Sequence, residues 1–434
     1  MGQNVVICGY GAAAVNALIA LRAAGYEGGI QVFSDADTLP YSPVMTGYYA
    51  GGTKTYEECF PWSEDELAAL RAEIHLGEEV LGIDATAHIV STAKGQYFFD
   101  KCLVATGASP VVASYPDGLL ESPSLYTLRT LEDAQALKAA LEAPECDRVL
   151  VMGTSMVGLR AVDAALAQGK EVTLLGRSEH IMRRTALPEM AALMEQHLEE
   201  AGVHLRLSQF IEDGEPAGKA SELASELAGS AGELADEPAG EAGELARLTF
   251  SNGDVEDYSV VVAAQGVVPN ADVIDETAQL EGQGLVVDEF QRTVYADVFA
   301  AGDVAQVACV QGGNAVAGLW KEACLQGAVA GWAMAAELAG TAPAAAHAYL
   351  GFLPNNQIIV AGAVMFSAGS VELNEYRWAD IEELESCTLA RVFERNVETE
   401  TTKLVGYNVF AKNAEPLMND AYEIAAMQYR RLMK

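Results

Sequence analysis

The sequence has few basic residues. Its 26 lysines and arginines stand against 62 acidic residues, which gives a formal net charge of −36. A surface of this sign repels polyanions, so neither nucleic acid nor an anionic membrane is an expected partner. No hydrophobic run approaches the roughly 20 residues that cross a bilayer. A strand begins within four residues of the N-terminus and leaves no room for a signal peptide, so we expect a cytoplasmic protein.

Paired cysteines are also missing. The seven cysteines are scattered, and no two form a C-x-x-C or C-x-x-x-x-C pair. We therefore expect no metal site and no locally encoded redox disulfide. Cys8 and Cys102 lie in apolar segments and are expected in the core. Cys59 follows two glutamates and is the thiol that we expect to be exposed.

Glycine-rich fingerprints are what the chain does contain. The first follows an apolar strand at residues 4–9 and reads Gly9-x-Gly11-x-x-Ala14, opening a small-residue helix at 12–24. This spacing lets backbone amides approach a pyrophosphate at the helix N-terminus, where the helix dipole favours anions. A tightly packed turn with no ligand is the alternative.

Aspartates follow two further apolar segments. Asp35 lies just past a second predicted strand (30–33), where a carboxylate accepts hydrogen bonds from a ribose. Gly302-Asp303 follows the apolar segment 298–301. The Asp303 carboxylate can point at a sugar-alcohol hydroxyl, or it can simply cap the next helix.

A second fingerprint repeats the first about 145 residues later. The strand 148–152 precedes Gly153-x-Ser155-x-x-Gly158. Two fingerprints ahead of the Gly302 motif indicate two dinucleotides bound by one chain. The pattern continues with a helix at 157–168, a strand at 172–175, a helix at 188–201 and a strand at 203–207.

Two other predicted strands end in small turns. The strand at 98–105 runs into Thr106-Gly107, and the buried strand at 260–264 ends at Gly266.

One stretch breaks the pattern. Residues 212–247 are acidic, alanine-rich and of low complexity. They separate the strand-like segments 203–210 and 247–250, so we interpret them as an insertion at a hairpin tip, disordered or marginally helical, that serves as a solvated spacer or a docking element. From about residue 341 the chain changes to short strands and a final helix at 421–433.

The order of these motifs resembles the FAD-dependent pyridine nucleotide-disulfide oxidoreductase superfamily over roughly residues 4–340. The resemblance implies an α/β fold with two Rossmann-like dinucleotide-binding domains and a small C-terminal α+β domain. The implied limits are 1–112 and 251–340 for a discontinuous FAD domain, 113–250 for an NAD(P) domain, and 341–434 for an α+β interface domain.

The resemblance also assigns residues to the cofactors. It implies that the pyrophosphate of the nicotinamide cofactor is held by Gly153, Ser155 and Gly158. It implies that FAD is contacted by Gly9, Gly11, Asp35, Thr106, Gly107 and Asp303. The further cofactor-binding candidates are Ala14, Gly266 and Gly302.

Within the superfamily, residues 39–43 and 48–51 are similar to the branch of NADH oxidases, coenzyme A-disulfide reductases and NADH-dependent reductase subunits. This branch implies a homodimer formed through the C-terminal domain. Disulfide-reducing relatives carry a cysteine beside the flavin, and Val44 stands at that position here. Electrons are therefore expected to leave the flavin directly, for a small molecule, oxygen or a redox protein.

Relatives also carry a lysine and a glutamate at positions that match Gly47 and Arg160. Arg160 could stabilise an anionic reduced flavin or an anionic acceptor, or it could be a plain surface arginine. Tyr48 and Trp320 could shape the exposed side of the flavin, or they could be core aromatics. These three residues, Tyr48, Arg160 and Trp320, are the candidate catalytic residues.

The choice of nicotinamide depends on the end of the strand at 172–175. The acidic residue that binds the ribose diol of NADH is missing there, and Arg177 and Arg183 stand where a 2′-phosphate would lie. The sequence therefore favours NADPH over NADH.

The leading hypothesis is an FAD-dependent NAD(P)H oxidoreductase that passes hydride from nicotinamide to flavin and works without a redox cysteine. One rival is a thiol or disulfide reductase that uses Cys59 or Cys324. Another is a flavin-bearing sensor or scaffold with low turnover, docked through residues 212–247.

Overall fold

The structure is a computed structural model. It describes residues 3–112, 115–219, 244–275, 279–280, 284–412 and 415–432. Parallel sheets alternate with helices through most of this range, which confirms the expected α/β class with Rossmann-type sheets. The chain divides into two compact units, one of residues 1–44, 56–109 and 267–353, and the other of residues 45–55, 110–266 and 354–434.

The helices of the described residues range in length from 4 to 19 residues. In chain order they are α1 (Ala12–Ala23), α2 (Pro43–Ala50), α3 (Glu64–Ala68), α4 (Asp117–Leu120), α5 (Leu131–Glu142), α6 (Met156–Ala167), α7 (Pro188–Glu200), α8 (Trp320–Leu338) and α9 (Glu415–Leu432).

The strands are numbered in the same way. They are β1 (Asn4–Cys8), β2 (Gly29–Phe33), β3 (Glu73–His75), β4 (Val80–Asp84), β5 (Ile89–Thr92), β6 (Gln96–Phe98), β7 (Lys101–Val104), β8 (Ala108–Pro110), β9 (Leu125–Thr127), β10 (Arg148–Met152), β11 (Glu171–Gly176), β12 (His204–Leu207), β13 (Ile211–Lys219), β14 (Glu244–Phe250), β15 (Val255–Tyr258), β16 (Val260–Ala263), β17 (Val267–Pro269), β18 (Gln279–Leu280), β19 (Gly284–Val286), β20 (Val298–Ala300), β21 (Ala305–Ala308), β22 (Asn314–Val316), β23 (Asn355–Val360), β24 (Ala363–Gly369), β25 (Arg377–Glu383), β26 (Thr388–Arg395) and β27 (Thr402–Ala411).

The first unit is built on a five-stranded parallel sheet in the order β20-β7-β1-β2-β3. Successive side chains of β1 point to opposite faces, so Val5 and Ile7 enter one hydrophobic cluster and Val6 and Cys8 enter another. A strand buried on both faces must be apolar throughout, which is why the sequence of β1 shows no polar alternation.

Helices α1 and α8 of this unit pack closely together. A Cβ at Gly327 would overlap the Ala13 carbonyl oxygen, and one at Gly331 would lie 2.5 Å from the Ala17 carbonyl oxygen. The run of small residues along both helices is therefore a packing requirement.

The second unit repeats the plan with a five-stranded parallel sheet in the order β12-β11-β10-β16-β9. In β10, Val149 and Val151 face one cluster, and Leu150 and Met152 face the other. This unit also contains an antiparallel sheet in the order β23-β24-β27-β26-β25, made by the C-terminal part of the chain.

The structure revises three expectations from the sequence. The predicted strand 98–105 is two strands, because β6 ends at Phe98 and β7 begins at Lys101. The described ends of the 212–247 segment are not disordered or helical, because β13 and β14 pair with each other antiparallel; residues 220–243 lie outside the described residues. The domain division stays a proposal, but its limit at 251 moves to 266, because β16 is hydrogen-bonded to β10 within the second sheet.

Candidate functional site

Gly9, directly after β1, has a conformation that only glycine adopts without strain. Its φ is +102°, and a Cβ there would overlap the carbonyl oxygen of Ala105. Its N–H donates to the Phe33 carbonyl at 2.7 Å. The turn is therefore held against both neighbouring strands, and the fold itself requires glycine at this position.

Gly11 is different, because the fold does not require it. It is the N-cap of α1 in extended conformation, and a Cβ there would meet no atom within 4 Å. The space in front of this helix end is open, and the first N–H groups of a helix have no acceptor within the helix. Together with the dipole, these groups form a place for an anion such as a pyrophosphate. Ala14, one turn into the helix, is fully buried.

Three of the other strands carry predicted site residues at the same edge of this sheet. Strands β1, β2, β7 and β20 are parallel, so their carboxyl ends meet at one edge. Asp35 follows β2, is exposed, and accepts a hydrogen bond from the Ala36 N–H at 3.0 Å. After β7, the Thr106 hydroxyl donates to the Asn270 carbonyl at 2.7 Å, and the Asn270 N–H donates to the Gly107 carbonyl at 2.9 Å.

The Gly302 motif completes this edge. Gly302 has a φ of +86°, and its N–H donates to the side-chain oxygen of Gln326 at 2.7 Å. Gln326 lies on α8 and is fully buried. Asp303 follows and is half-buried. The structure thus brings the predicted residues Gly9, Gly11, Asp35, Thr106, Gly107, Gly302 and Asp303 to one edge of the first sheet.

Gly153 of the second unit reproduces the geometry of Gly9. Its φ is +125°, a Cβ would overlap the Ala264 carbonyl oxygen, and its N–H donates to the Leu175 carbonyl at 2.9 Å. A Cβ at Gly158 would overlap the carbonyl oxygen of Gly153 itself. Ser155 caps α6 through its backbone only, with no side-chain hydrogen bond to the helix. Its hydroxyl therefore does not neutralise the helix end.

Arg177 and Arg183 are exposed residues beyond β11. The Arg177 guanidinium lies 5.8 Å from the centre of the Phe210 ring. Within the part of the chain that the structure describes, neither arginine forms an ion pair. Both charges are thus available to an anionic ligand. Gly266, after β16, has a φ of +124° and open space where a Cβ would lie.

Arg160 packs against α2. Its guanidinium carbon lies 4.0 Å from the centre of the Tyr48 ring, and its Nη1 donates to Asp163 Oδ2 at 2.8 Å. A Cβ at Gly47 would overlap Arg160 Cγ. Gly47 and Arg160, the two positions that the resemblance matched to a lysine and a glutamate, are therefore in contact. Arg160 is not a plain surface arginine, because only 13% of its side chain is exposed.

Trp320 begins α8 and lies beside Trp62, with 6.0 Å between the ring centres. Both side chains are half-buried, and the indole Nε1 of Trp320 has no hydrogen-bond partner among the described residues. The sequence did not indicate Trp62 as a neighbour, because the two residues are far apart in the chain.

The expectation of an exposed thiol at Cys59 is wrong. Its side chain is fully buried, and burial, with a smaller contribution from Glu58, raises the pKa of the thiol. Cys8 and Cys102 are buried as expected, none of the seven cysteines forms a disulfide, and Cys309 and Cys324 are the half-exposed ones.

Neither a membrane span nor a metal cluster is found among the described residues. No helix in these ranges is both long enough and apolar enough to span a membrane. No group of three or more histidine, cysteine or acidic side chains in the same ranges is arranged to hold a metal ion.

Comparison with known proteins gives a consistent group. The family model described as pyridine nucleotide-disulphide oxidoreductase matches residues 3–335. The epsilon subunit of the NADH-dependent phenylglyoxylate dehydrogenase of Aromatoleum evansii is 27% identical over 85% of this chain and 80% of its own length. Putidaredoxin reductase of Pseudomonas putida is 27% identical over 70% of this chain and 67% of its own length.

Solved structures share the fold. The water-forming NADH oxidase of Lactobacillus brevis superimposes with a TM-score of 0.80 at 18% identity, covering 99% of this chain and 91% of that one. Its engineered NADPH-dependent form gives a TM-score of 0.80 at 20% identity, with the same coverage.

Proposed function

Because the chain belongs to the pyridine nucleotide-disulphide oxidoreductase family and is an FAD-dependent NAD(P)H oxidoreductase, we propose that it delivers electrons to a redox protein without using a cysteine. The observation that supports the binding of two dinucleotides is the pair of equivalent turns at Gly9 and Gly153, one in each unit. Each turn opens a helix toward an anion, so the chain offers two pyrophosphate sites.

The residues of the first unit fit FAD. The open space at Gly11 accommodates the approach of a pyrophosphate, and Asp35 offers an exposed carboxylate to a ribose. Asp303 is the proposed partner of the sugar-alcohol chain. When bound, FAD supplies an isoalloxazine ring that takes two electrons from a reduced nicotinamide and passes them on.

The proposed acceptor rests on the relatives and on the thiols. Putidaredoxin reductase and the rubredoxin reductase of Pseudomonas putida are named for redox proteins. Val44 stands where disulfide-reducing relatives carry a cysteine, and Cys59 is buried. The net charge of −36 favours an acceptor with a basic face.

We also propose that the C-terminal region 341–434 forms a homodimer interface.

We propose NADPH as the preferred donor. Among its substitutions, the engineered NADPH oxidase carries aspartate to alanine, alanine to arginine and methionine to serine at three consecutive positions, then proline to arginine five positions later. This chain reads Gly176-Arg177-Ser178, with Arg183 five positions after Ser178. The acid is missing, and both arginines stand in the same spacing. A guanidinium binds a phosphate through two parallel hydrogen bonds. The ribose diol of NADH does not need a guanidinium for its binding.

The test is an anaerobic titration of the purified flavoprotein with NADPH and with NADH, following the oxidised flavin band. Rapid bleaching by NADPH and slow bleaching by NADH is the expected result. Bleaching by neither nucleotide contradicts the reductase proposal. The reduced enzyme is then mixed with rubredoxin, a [2Fe–2S] ferredoxin or oxygen; fastest reoxidation by oxygen would contradict the redox-protein acceptor.

A further inference from the structure

The segment that carries Arg183 is held from several sides. We call residues 181–187, between β11 and α7, the arginine loop. The Met182 N–H donates to the Thr154 carbonyl at 2.9 Å, inside the second glycine turn, and the Ile181 N–H donates to the Glu195 carboxylate at 2.9 Å. Met182 has a left-handed φ of +51°. This loop is therefore tied directly to the turn that is proposed to bind the pyrophosphate.

The other end of the loop is held by one residue of the C-terminal sheet. Asn408, in β27, is fully buried. Its side-chain oxygen accepts a hydrogen bond from the Leu187 N–H at 2.9 Å, and its side-chain amide donates to the Thr185 carbonyl at 2.8 Å. A buried amide is costly unless both of its ends are paired, and here both ends are paired with this loop.

The chemistry of this contact is specific to asparagine. The two backbone groups that flank Ala186 are a donor and an acceptor, and a short side chain must offer both functions at once. An ionised aspartate could accept from Leu187 but could not donate to Thr185. Leucine would leave both backbone groups, the buried Leu187 N–H and the part-buried Thr185 carbonyl, without this partner.

We propose that Asn408 is a positioning residue for nucleotide specificity. It fixes the backbone on one side of Arg183, and the Met182–Thr154 bond fixes the other side relative to the pyrophosphate turn. In NADPH the 2′-phosphate and the pyrophosphate are joined through a single ribose, so their binding groups must keep a fixed separation. A loop held at both ends keeps it and lowers the entropy lost when Arg183 binds phosphate.

NADH lacks the phosphate that Arg183 would bind. The turn at Gly153 is held by the Leu175 carbonyl and by its own packing, without Asn408. Loss of Asn408 is therefore expected to weaken NADPH binding selectively. The inference rests on the proposed NADPH preference.

The experiment compares Asn408→Leu and Asn408→Asp with a matched control, Ser367→Ala. Ser367 lies directly opposite Asn408 in the β24–β27 pair and is also buried, and its hydroxyl has no hydrogen-bond partner in the described ranges. The holoenzyme is titrated with 2′,5′-ADP and with 5′-AMP, and KM and kcat are measured with NADPH and NADH. Melting temperatures show that each variant is folded.

For Asn408→Leu we expect the affinity for 2′,5′-ADP to be about tenfold lower and the KM for NADPH to be about tenfold higher. A change of this size corresponds to the loss of one charge-assisted hydrogen bond. The KM for NADH and the affinity for 5′-AMP should change less than about twofold. Asn408→Asp should fall between the wild type and Asn408→Leu, and it is the informative variant if the leucine variant does not fold.

Equal losses with both nucleotides would overturn the inference, because a merely structural residue affects both alike. An unchanged preference in a folded Asn408→Asp and Asn408→Leu pair would also overturn it. If the wild type binds 2′,5′-ADP no more tightly than 5′-AMP, the NADPH proposal itself fails, and the inference fails with it.

Discussion

The guanidinium of Arg160 lies over the ring of Tyr48, with 4.0 Å between the guanidinium carbon and the ring centre. This cation–π contact exists because Gly47, one residue earlier on α2, has no side chain to block it. Asp163 accepts a hydrogen bond from the guanidinium and another from the Ala361 N–H at 2.9 Å. The contact therefore links α2, α6 and the C-terminal sheet of the second unit.

Gly47→Ala is expected to destabilise the protein by about 1–2 kcal/mol, because the new Cβ would overlap Arg160 Cγ and displace the guanidinium. In an Arg160→Ala background, Gly47→Ala should instead stabilise the protein by about 0.5–1 kcal/mol, since alanine is a better helix former than glycine. Urea unfolding of the four proteins of this cycle measures both effects. Equal effects of Gly47→Ala in the two backgrounds would show that the contact is not made.

Gly9→Ala and Gly11→Ala should separate packing from ligand binding. Gly9→Ala forces a strained φ and overlaps the Ala105 carbonyl, so the apoprotein should lose about 2 kcal/mol or more. Gly11→Ala meets no protein atom, so its apoprotein should stay within about 0.5 kcal/mol of wild type. Its FAD content after gel filtration should nevertheless fall, because the methyl group takes the space that we propose for the pyrophosphate. A Gly11→Ala protein with full flavin content would place FAD elsewhere.

Arg177→Ala and Arg183→Ala should each raise the KM for NADPH by about tenfold to a hundredfold. This is the effect on binding that the loss of a hydrogen-bonded charge pair has. The KM for NADH should change less than about twofold. Arg184→Ala, which removes the exposed neighbouring charge, is the control for a general electrostatic effect. Added salt should weaken the binding of NADPH more than the binding of NADH, because salt screens a phosphate contact at the surface. Parallel changes for both nucleotides would contradict the assignment.

Thiol chemistry should be dispensable. Cys59→Ser and Cys324→Ser are expected to retain wild-type turnover, because the Cys59 thiol is buried and burial also raises the pKa of Cys324. In the native protein a disulfide reagent should modify Cys309 and Cys324 fastest, since these two are half-exposed. A loss of turnover in either serine variant, without a loss of stability, would restore the disulfide-reductase alternative.

Tyr258 should make stability fall at alkaline pH. It is buried, its hydroxyl donates to Glu256 at 2.8 Å, and burial raises its pKa to about 12. A pKa raised in the folded state means that the contribution is complete below the unfolded value near 10 and is lost as pH rises toward 12. The stability difference between wild type and Tyr258→Phe should be constant up to about pH 9 and then decrease by at most about 1.4 kcal/mol per pH unit. A difference that does not change over this range would contradict the raised pKa.

The two glycine turns could be predicted from the sequence because their requirements are local. Strand, turn and helix follow one another within about ten residues. The glycine spacing within each fingerprint therefore indicates that Gly9 and Gly153 are positions where a side chain does not fit. The helix predicted at 188–201 and the strand at 148–152 agree with α7 and β10 for the same reason, since apolar periodicity is a local property.

The thiol prediction failed for the opposite reason. Cys59 follows two glutamates, which indicates exposure, but the packing of a short turn decided its burial. Likewise, nothing local marks Asn408 as a partner of residues 185 and 187, because more than 220 residues separate them. Trp62 and Trp320, and Asp163 and Ala361, are pairs of the same kind.

The sequence alone therefore determined the α/β class, the order of the motifs, the two glycine turns and the lack of a cysteine at the position of Val44. These features depend on chain-local spacing and on residue identity. Tertiary structure decided which side chains surround Arg160, which thiols are accessible, and how the arginine loop is held. These features depend on contacts between residues distant in the chain, which form only when the sheets and helices pack.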